Sequence, residues 1–279
     1  EEALSSPQRD EWLKAMADEK ESFRVSNTFK PVTRKLPADV EAALLDTKWV
    51  FKLKRDESGK IVRFKARLVA RGFRQREEDY DITFSPTLGM MPLRALIAIA
   101  ALHRMQLVQA DFTAAYLNPP LDKNVLIRMP PGFDEYQGAV ALQLNKAMYG
   151  LHQSGALWNS AVVSLLIELG YYPYPHGDMC VFIRLLADGR FFILGLYVDD
   201  VLIAYSMRDR AIVLADLEKL NKKFKLKVLG QAKHILGVEL SYFADGSIKM
   251  SQASYLRSTL KARGFKSCRN EPTPASSGS

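Results

Sequence analysis

The sequence predicts an α+β fold in which an antiparallel sheet packs on helices. Three observations point there. Residues 194–203, Leu-Gly-Leu-Tyr-Val-Asp-Asp-Val-Leu-Ile, are two apolar runs separated by Asp199 and Asp200, the pattern of two half-buried strands joined by a tight turn. Thr47–Arg55 and Ile61–Ala70 alternate apolar and cationic residues with a period of two. Stretches 91–103, 149–170 and 208–224 repeat their apolar residues at helical spacing.

Composition narrows the class further. A chain of 279 residues holds one large domain or two to three small ones, and 48% hydrophobic residues is enough for a sizeable core. The net charge of +8 favours a polyanionic partner. Cys180 and Cys268 have neither metal-ligand nor disulfide-framework spacing, so a reducing compartment is expected. No apolar run reaches the roughly 18 residues of a membrane span, and no signal peptide is visible, so neither membrane insertion nor secretion is expected. The chain opens on Glu1 rather than Met, as a segment of a longer polypeptide would.

Taken in order, Ser6-Pro7-Gln8 is expected to open a helix, with Ser as cap and Pro in the first turn. Trp12, Ala15, Met16, Glu19 and Phe23 continue it, Trp12 and Met16 docking it on the rest. Residues 29–46 read as mixed, with Pro31 and Pro37 breaking regularity. The hairpin that follows turns at 56–60. It puts Trp49, Phe51, Leu53, Phe64, Ala66 and Leu68 on one face and Lys52, Lys54, Arg63, Lys65 and Arg67 on the other. Residues 71–86 are a charged connection. Met91-Pro92 starts an apolar helix through His103. Met105–Asp111 is a strand with Asp111 near its carboxyl end, Val125–Met129 a short surface strand, and Val140–Leu144 another strand. The helix opening at 149–158 carries Val162, Leu165, Leu166 and Leu169 on its apolar stripe and stops at Gly170. Asp178–Phe182 leads into a strand, and Asp188-Gly189 turns the chain into Phe191–Tyr197, whose return arm runs to Ser206. Arg208–Phe224 is a helix with Leu214, Leu217, Leu220 and Phe224 inward and Lys219, Lys222 and Lys223 outward. His234–Leu240 and Ser247–Met250 form a hairpin around Asp245-Gly246. Ser251–Arg263 is a helix closed by Gly264, and 271–279 is a linker-like tail.

The chemistry sits in the acids. Adjacent aspartates repel, and Asp is seldom buried unless paired or bound to a metal. Asp111, at the end of its own strand, can meet the Asp199-Asp200 turn at one sheet edge. Clustered carboxylates without His or Cys suit hard cations such as Mg²⁺ or Mn²⁺. Two such ions can clamp the attacking and leaving oxygens of a phosphoryl transfer. The plain alternative is an ordinary turn in which aspartates are common.

Tyr197-Val198-Asp199-Asp200 resembles the catalytic box of reverse transcriptases. Its surroundings resemble the copia-type retrotransposon class: Lys48-Trp49-Val50-Phe51-Lys52, the 64–73 block Phe-Lys-Ala-Arg-Leu-Val-Ala-Arg-Gly-Phe, the 79–86 block Asp-Tyr-Asp-Ile-Thr-Phe-Ser-Pro, Tyr149-Gly150-Leu151-His152-Gln153 and Phe182 follow in the family's order over nearly the whole chain. The resemblance implies a right-hand polymerase. Residues 1–104 would be an N-terminal segment and fingers, 105–206 palm with interleaved fingers elements, and 207–270 the palm end, primer-grip hairpin and start of a partial thumb, with 271–279 the tail. It implies Asp111, Asp199 and Asp200 as catalytic acids, and these three with the Phe112 carbonyl as ligands of Mg²⁺, or of Mn²⁺. It places either Lys65 or Arg67 on the triphosphate, Tyr116 under the deoxyribose as a gate against a ribose 2′-hydroxyl, Gln153 in the nucleotide pocket, and Leu236, Gly237, Val238 and Glu239 in the primer grip. One departure is Gly155, Ala156 and Leu157, where the copia pattern usually has Pro and a basic residue. The implied reaction is RNA-directed DNA synthesis from deoxynucleoside triphosphates on an RNA template with an RNA or DNA primer, in a cytoplasmic virus-like particle or the nucleus. Other segments of the same polyprotein are expected partners; ribonuclease H and integrase segments are not in this chain. Competing readings are a catalytically inactive, nucleic-acid-binding remnant and a polyprotein piece active only after assembly.

Overall fold

A computed structural model describes residues 2–55 and 60–265. Helix α1, Arg9–Val25, starts later than Ser6 suggests: the Ser6 hydroxyl donates to the Ala3 carbonyl, and Gln8 caps the helix without a side-chain bond. Its Trp12, Ala15 and Phe23 are buried. Strand β1, Phe29–Val32, contains Pro31. It is an edge strand, where the missing Pro N–H is tolerated. After the short helix α2, Ala38–Ala42, strands β2, Thr47–Arg55, and β3, Ile61–Ala70, pair antiparallel with the expected bounds; most of their turn, 56–59, lies outside the described residues. The register sets Lys52 opposite Lys65 and Lys54 opposite Arg63. Helix α1 packs on the apolar face, where Trp12 meets Phe51 and Phe64 edge-on at 5.2 and 4.7 Å.

Helix α3, Met90–Leu102, leads to β4, Gln106–Phe112, β5, Leu126–Ile127, and β6, Ala141–Leu144. Strand β5, an edge of the three-stranded sheet of order β1-β6-β5, is not a surface strand: Ile127 is fully buried in a core with Leu45, Val125 and Leu142. Helix α4, Ser154–Glu168, buries Trp158, Val162 and Leu166. It is followed by β7, Tyr172–Pro173, β8, Val181–Leu185, β9, Phe191–Tyr197, β10, Asp200–Tyr205, α5, Arg210–Phe224, and β11, Leu226–Gln231. The central sheet has the order β11-β4-β10-β9-β8-β7, every neighbour antiparallel.

One face of that sheet carries Ala110, Phe112, Leu194, Leu196, Val201 and Ile203 into a core shared with α4 and α5. From α5 the buried residues are Val213, Leu217, Leu220 and Phe224; Leu214 is exposed instead. The same helix buries Asp216, which Arg184 and the Tyr171 hydroxyl engage, while Arg190 engages buried Asp209. The opposite face is partly covered by α3 and the residues leading into it: a Cβ at Gly195 would lie 2.9 Å from Leu88 and 3.3 Å from Leu96. Beyond α3 that face carries Asp111 and Asp200.

The chain forms two compact units, the first ending at Gln231 and the second starting at Ala232. The boundaries expected near 104 and 206 fall inside the first, whose elements interleave along the chain. In the second, β12, His234–Ile235, β13, Val238–Tyr242, and β14, Ile248–Ser251, form an antiparallel sheet followed by helix α6, Ala253–Ala262. The expected long arm 234–240 is therefore two strands with a turn between them. Among the described residues no helix is long and apolar enough to cross a membrane.

Candidate active site

Strands β9 and β10 pair from Tyr197 opposite Asp200 to Ile193 opposite Ala204, leaving Val198 and Asp199 as the turn. On the other side of β10, β4 sets Asp111 directly opposite Asp200. Cross-strand partners project to the same face. The amide of Phe112 donates to the Asp199 carbonyl at 2.7 Å, tying the turn to the strand that carries Asp111. The structure sets Asp111 beside Asp200 at one end of the sheet, with Asp199 in the adjoining turn.

The electrostatics follow from this crowding. Burial raises the pKa of Asp111, the charges of Asp199 and Asp200 raise it further, and Lys65 and Lys227 pull it back. Lys227 faces Asp111 across the β11 ladder. Burial also raises Asp200, against a hydrogen bond from Gln109 and with a contribution from Asp199. The Gln109 amide donates to Asp200 Oδ1 at 3.2 Å. Sequence reasoning missed Gln109, although its position two residues before Asp111 puts it on the same face of β4.

The two candidate cations, equivalent by parity, have different surroundings. The charge of Lys65 is felt at Asp111, and burial followed by Arg67, Lys54 and Arg63 lowers the pKa of Lys65 itself. The Arg67 guanidinium stands 4.4 Å from the Tyr149 ring centre, and Tyr149 meets Tyr116 edge-on at 5.1 Å. Tyr116 sits in a single 3-10 turn, Ala115–Leu117, entered through left-handed Ala114. Its pKa is raised by burial first and by Asp199 next, so its hydroxyl stays protonated near the acids.

Gln153 is not presented to this face. It is 1% exposed; its carbonyl accepts from Gln75 at 3.0 Å and its amide donates to the Asp79 carbonyl at 2.9 Å. The Gln75 side-chain carbonyl in turn accepts from the His152 amide at 2.8 Å. Both ends of Gln153 are engaged in holding the 71–81 connection against the start of α4. The primer-grip candidates lie in the second unit. Leu236 and Gly237, both at positive φ (48° and 77°), form the turn between β12 and β13. Val238 is buried, and the Glu239 carboxylate accepts from the Ser254 hydroxyl.

Among the described residues, no three His, Cys, Asp or Glu side chains are gathered into a ready ligand set. The donor chemistry does fit a hard divalent cation: the set is all carboxylate, and the mutual repulsion seen at Asp111 marks a point where added positive charge is favourable. His176 and Cys180 add nothing to it: Cys180 is fully buried, and His176 packs on Tyr174 at 6.2 Å.

Residues 26–277 match the family described as reverse transcriptase (RNA-dependent DNA polymerase). A retrovirus-related Pol polyprotein from transposon TNT 1-94 of Nicotiana tabacum is 34% identical over 98% of this chain, and that from transposon RE2 of Arabidopsis thaliana is 29% identical over 98%. The chain spans 20% and 18% of their lengths, about a fifth. A foamy viral protease-reverse transcriptase, solved in complex with double-stranded DNA, superposes with a TM-score of 0.53 at 13% identity, covering 93% of this chain and 38% of that one, which shows the fold. The chain belongs to the reverse transcriptase family, within which it groups with the Pol polyproteins of copia-type transposons.

Proposed function

We propose that this chain catalyses RNA-directed DNA synthesis, adding deoxynucleotides to a primer 3′-hydroxyl on an RNA template. The observation that carries the proposal is the meeting of Asp111 and Asp200 as cross-strand partners beside Asp199, with the charge of Lys65 felt at Asp111. Asp111 and Asp199, with the Phe112 carbonyl, would hold divalent cations, Mg²⁺ or Mn²⁺, and Asp200, restrained by Gln109, would support them. When bound, such ions supply charge neutralisation and acidify the attacking hydroxyl.

The chain's own residues position and screen. Phosphoryl transfer needs little covalent work from the protein, so placement and charge dominate. The face carrying Lys52, Lys54, Arg63, Lys65 and Arg67 gives the triphosphate and the template backbone a dense row of cations. Lys65 is the better triphosphate candidate because its charge reaches Asp111; Arg67, stacked on Tyr149, braces the aromatic pair that includes Tyr116. Tyr116 would lie under the sugar. Gln153 is assigned no direct nucleotide contact, since both ends of its amide are engaged. Leu236, Gly237, Val238 and Glu239 would guide the primer. The foamy viral relative carries a nucleic-acid duplex, which supports a duplex of template and primer as the partner.

The test is extension of a primer annealed to RNA, with deoxynucleoside triphosphates and Mg²⁺, run beside a filter-binding assay on the same duplex. Extension supports the proposal. Binding without extension replaces it with the inactive, nucleic-acid-binding reading.

A further inference from the structure

Trp158 lies in the first half of α4 and is 1% exposed. Its indole N–H donates to the carbonyl of Val198, forty residues further along the chain, at 2.7 Å. That N–H is the only polar group the side chain has. The ring is fixed in turn: Phe112 meets it edge-on at 5.0 Å and Phe224 at 5.1 Å. The Phe112 amide donates to the next carbonyl of the turn, that of Asp199, at 2.7 Å. Two consecutive carbonyls, 198 and 199, are thus held from outside the hairpin, one by a helix and one by the strand carrying Asp111.

The turn requires such restraint. Val198 has φ of 53°, in the left-handed region. A β-branched residue there is strained, and the conformation persists only where its surroundings over-determine it. Relaxation of Val198 toward the extended region would rotate the peptide that follows and swing Asp199 away from Asp111. The indole holds the carbonyl of the strained residue itself.

We propose that Trp158 is a positioning residue for Asp199: its N–H fixes the left-handed turn, so that the carboxylate stands beside Asp111 before any ligand arrives. The proposal rests on the polymerase reading of this hairpin. A role in core packing alone would need the shape of the ring but not its N–H.

Two replacements separate these roles. Trp158→Phe keeps an aromatic ring, and replacement of Trp158 by 3-benzothienylalanine keeps the full shape while sulfur takes the place of the N–H. Each is measured for primer extension, with kcat and nucleotide KM determined separately. Each is also measured for amide hydrogen exchange over residues 191–205 without metal or nucleic acid, with α4 and α5 as internal references. Positioning predicts that the benzothienylalanine protein keeps its exchange in α4 and α5, exchanges roughly tenfold faster around Val198–Asp200, and loses about tenfold in kcat with KM nearly unchanged. Wild-type exchange and kcat in that protein overturn the proposal, as does faster exchange spread evenly over α4 and α5. If Trp158→Phe fails to fold, the isosteric protein still decides. If the wild type extends no primer, the polymerase reading fails by itself, while hydrogen exchange still tests the restraint on the turn.

Discussion

The amide of Gln109 donates to Asp200 Oδ1, and both side chains project from the sheet face that carries Asp111. One oxygen of Asp200 is thus already engaged within the protein. Replacing Gln109 by Ala leaves the half-buried carboxylate without its donor, which costs about 1 kcal/mol of stability. Urea unfolding should show that loss, and primer extension should slow several-fold through kcat. Unchanged stability and rate would mean that the bond does nothing for Asp200.

Tyr116 is braced by Tyr149, and Tyr149 by Arg67. A gate made of a braced ring works by bulk, so Tyr116→Ala should raise incorporation of ribonucleotides relative to deoxynucleotides by about tenfold or more, with deoxynucleotide addition less affected. Competition between the two nucleotide types on one primed template measures the ratio. An unchanged ratio removes Tyr116 from the gate.

Gly150 has φ of 94°, and a Cβ there would stand 2.2 Å from the Ala70 carbonyl oxygen and 2.6 Å from Val69 Cγ1. The Tyr149 carbonyl accepts from the Ala70 amide at 2.8 Å, so the two backbones cannot move apart without losing that bond. Gly150→Ala should lower stability by about 2–4 kcal/mol, read as a fall in Tm, because both the conformation and the space are denied.

Glu19 on α1 accepts from the Leu68 amide at 3.3 Å. Burial raises its pKa above the usual 4.5, against that hydrogen bond and the charges of Arg67 and Lys65. An acid with a raised folded-state value holds its proton longer in the native state than in the unfolded chain, so stability falls as pH rises from about 4.5 through the raised value. Glu19→Gln keeps an acceptor for Leu68 and loses this titration. Unfolding curves should show the variant gaining on the wild type as pH rises through that window, with the difference vanishing below about pH 4. Parallel curves would contradict the burial of this charge.

How much of this was legible in the sequence depended on whether the determinant was local. Strands β2 and β3 are legible to the residue, because one face is apolar and the other mostly cationic. The candidate acids Asp111, Asp199 and Asp200 stand out because the order of motifs that resemble the family's is linear information. Strand β1 was not legible: Pro31 argues against a strand unless it is known to lie at a sheet edge, which is a fact of topology. Strand β11 was missed because Val228 and Leu229 are exposed and Gly230 breaks the ladder, so no clean alternation appears. On α5 the helical period was right and the stripe was shifted: Val213 points inward instead of Leu214, and Asp216 joins it because Arg184, distant in sequence, neutralises it. Gln153 was placed on a helix start correctly, but its partners Gln75 and Asp79 lie in the connection it holds, which nothing near 153 announces.

The central claim is that Asp111 and Asp199 act together on an incoming nucleotide. It is tested most directly by the rate of single-nucleotide addition to a primed RNA template by the wild type, Asp111→Asn and Asp199→Asn, each with its fold checked by circular dichroism. Paired action predicts native spectra for all three and at least about a thousandfold slower addition by either variant, several kcal/mol of lost stabilisation. Addition by either variant at a rate within a few-fold of the wild type would contradict it.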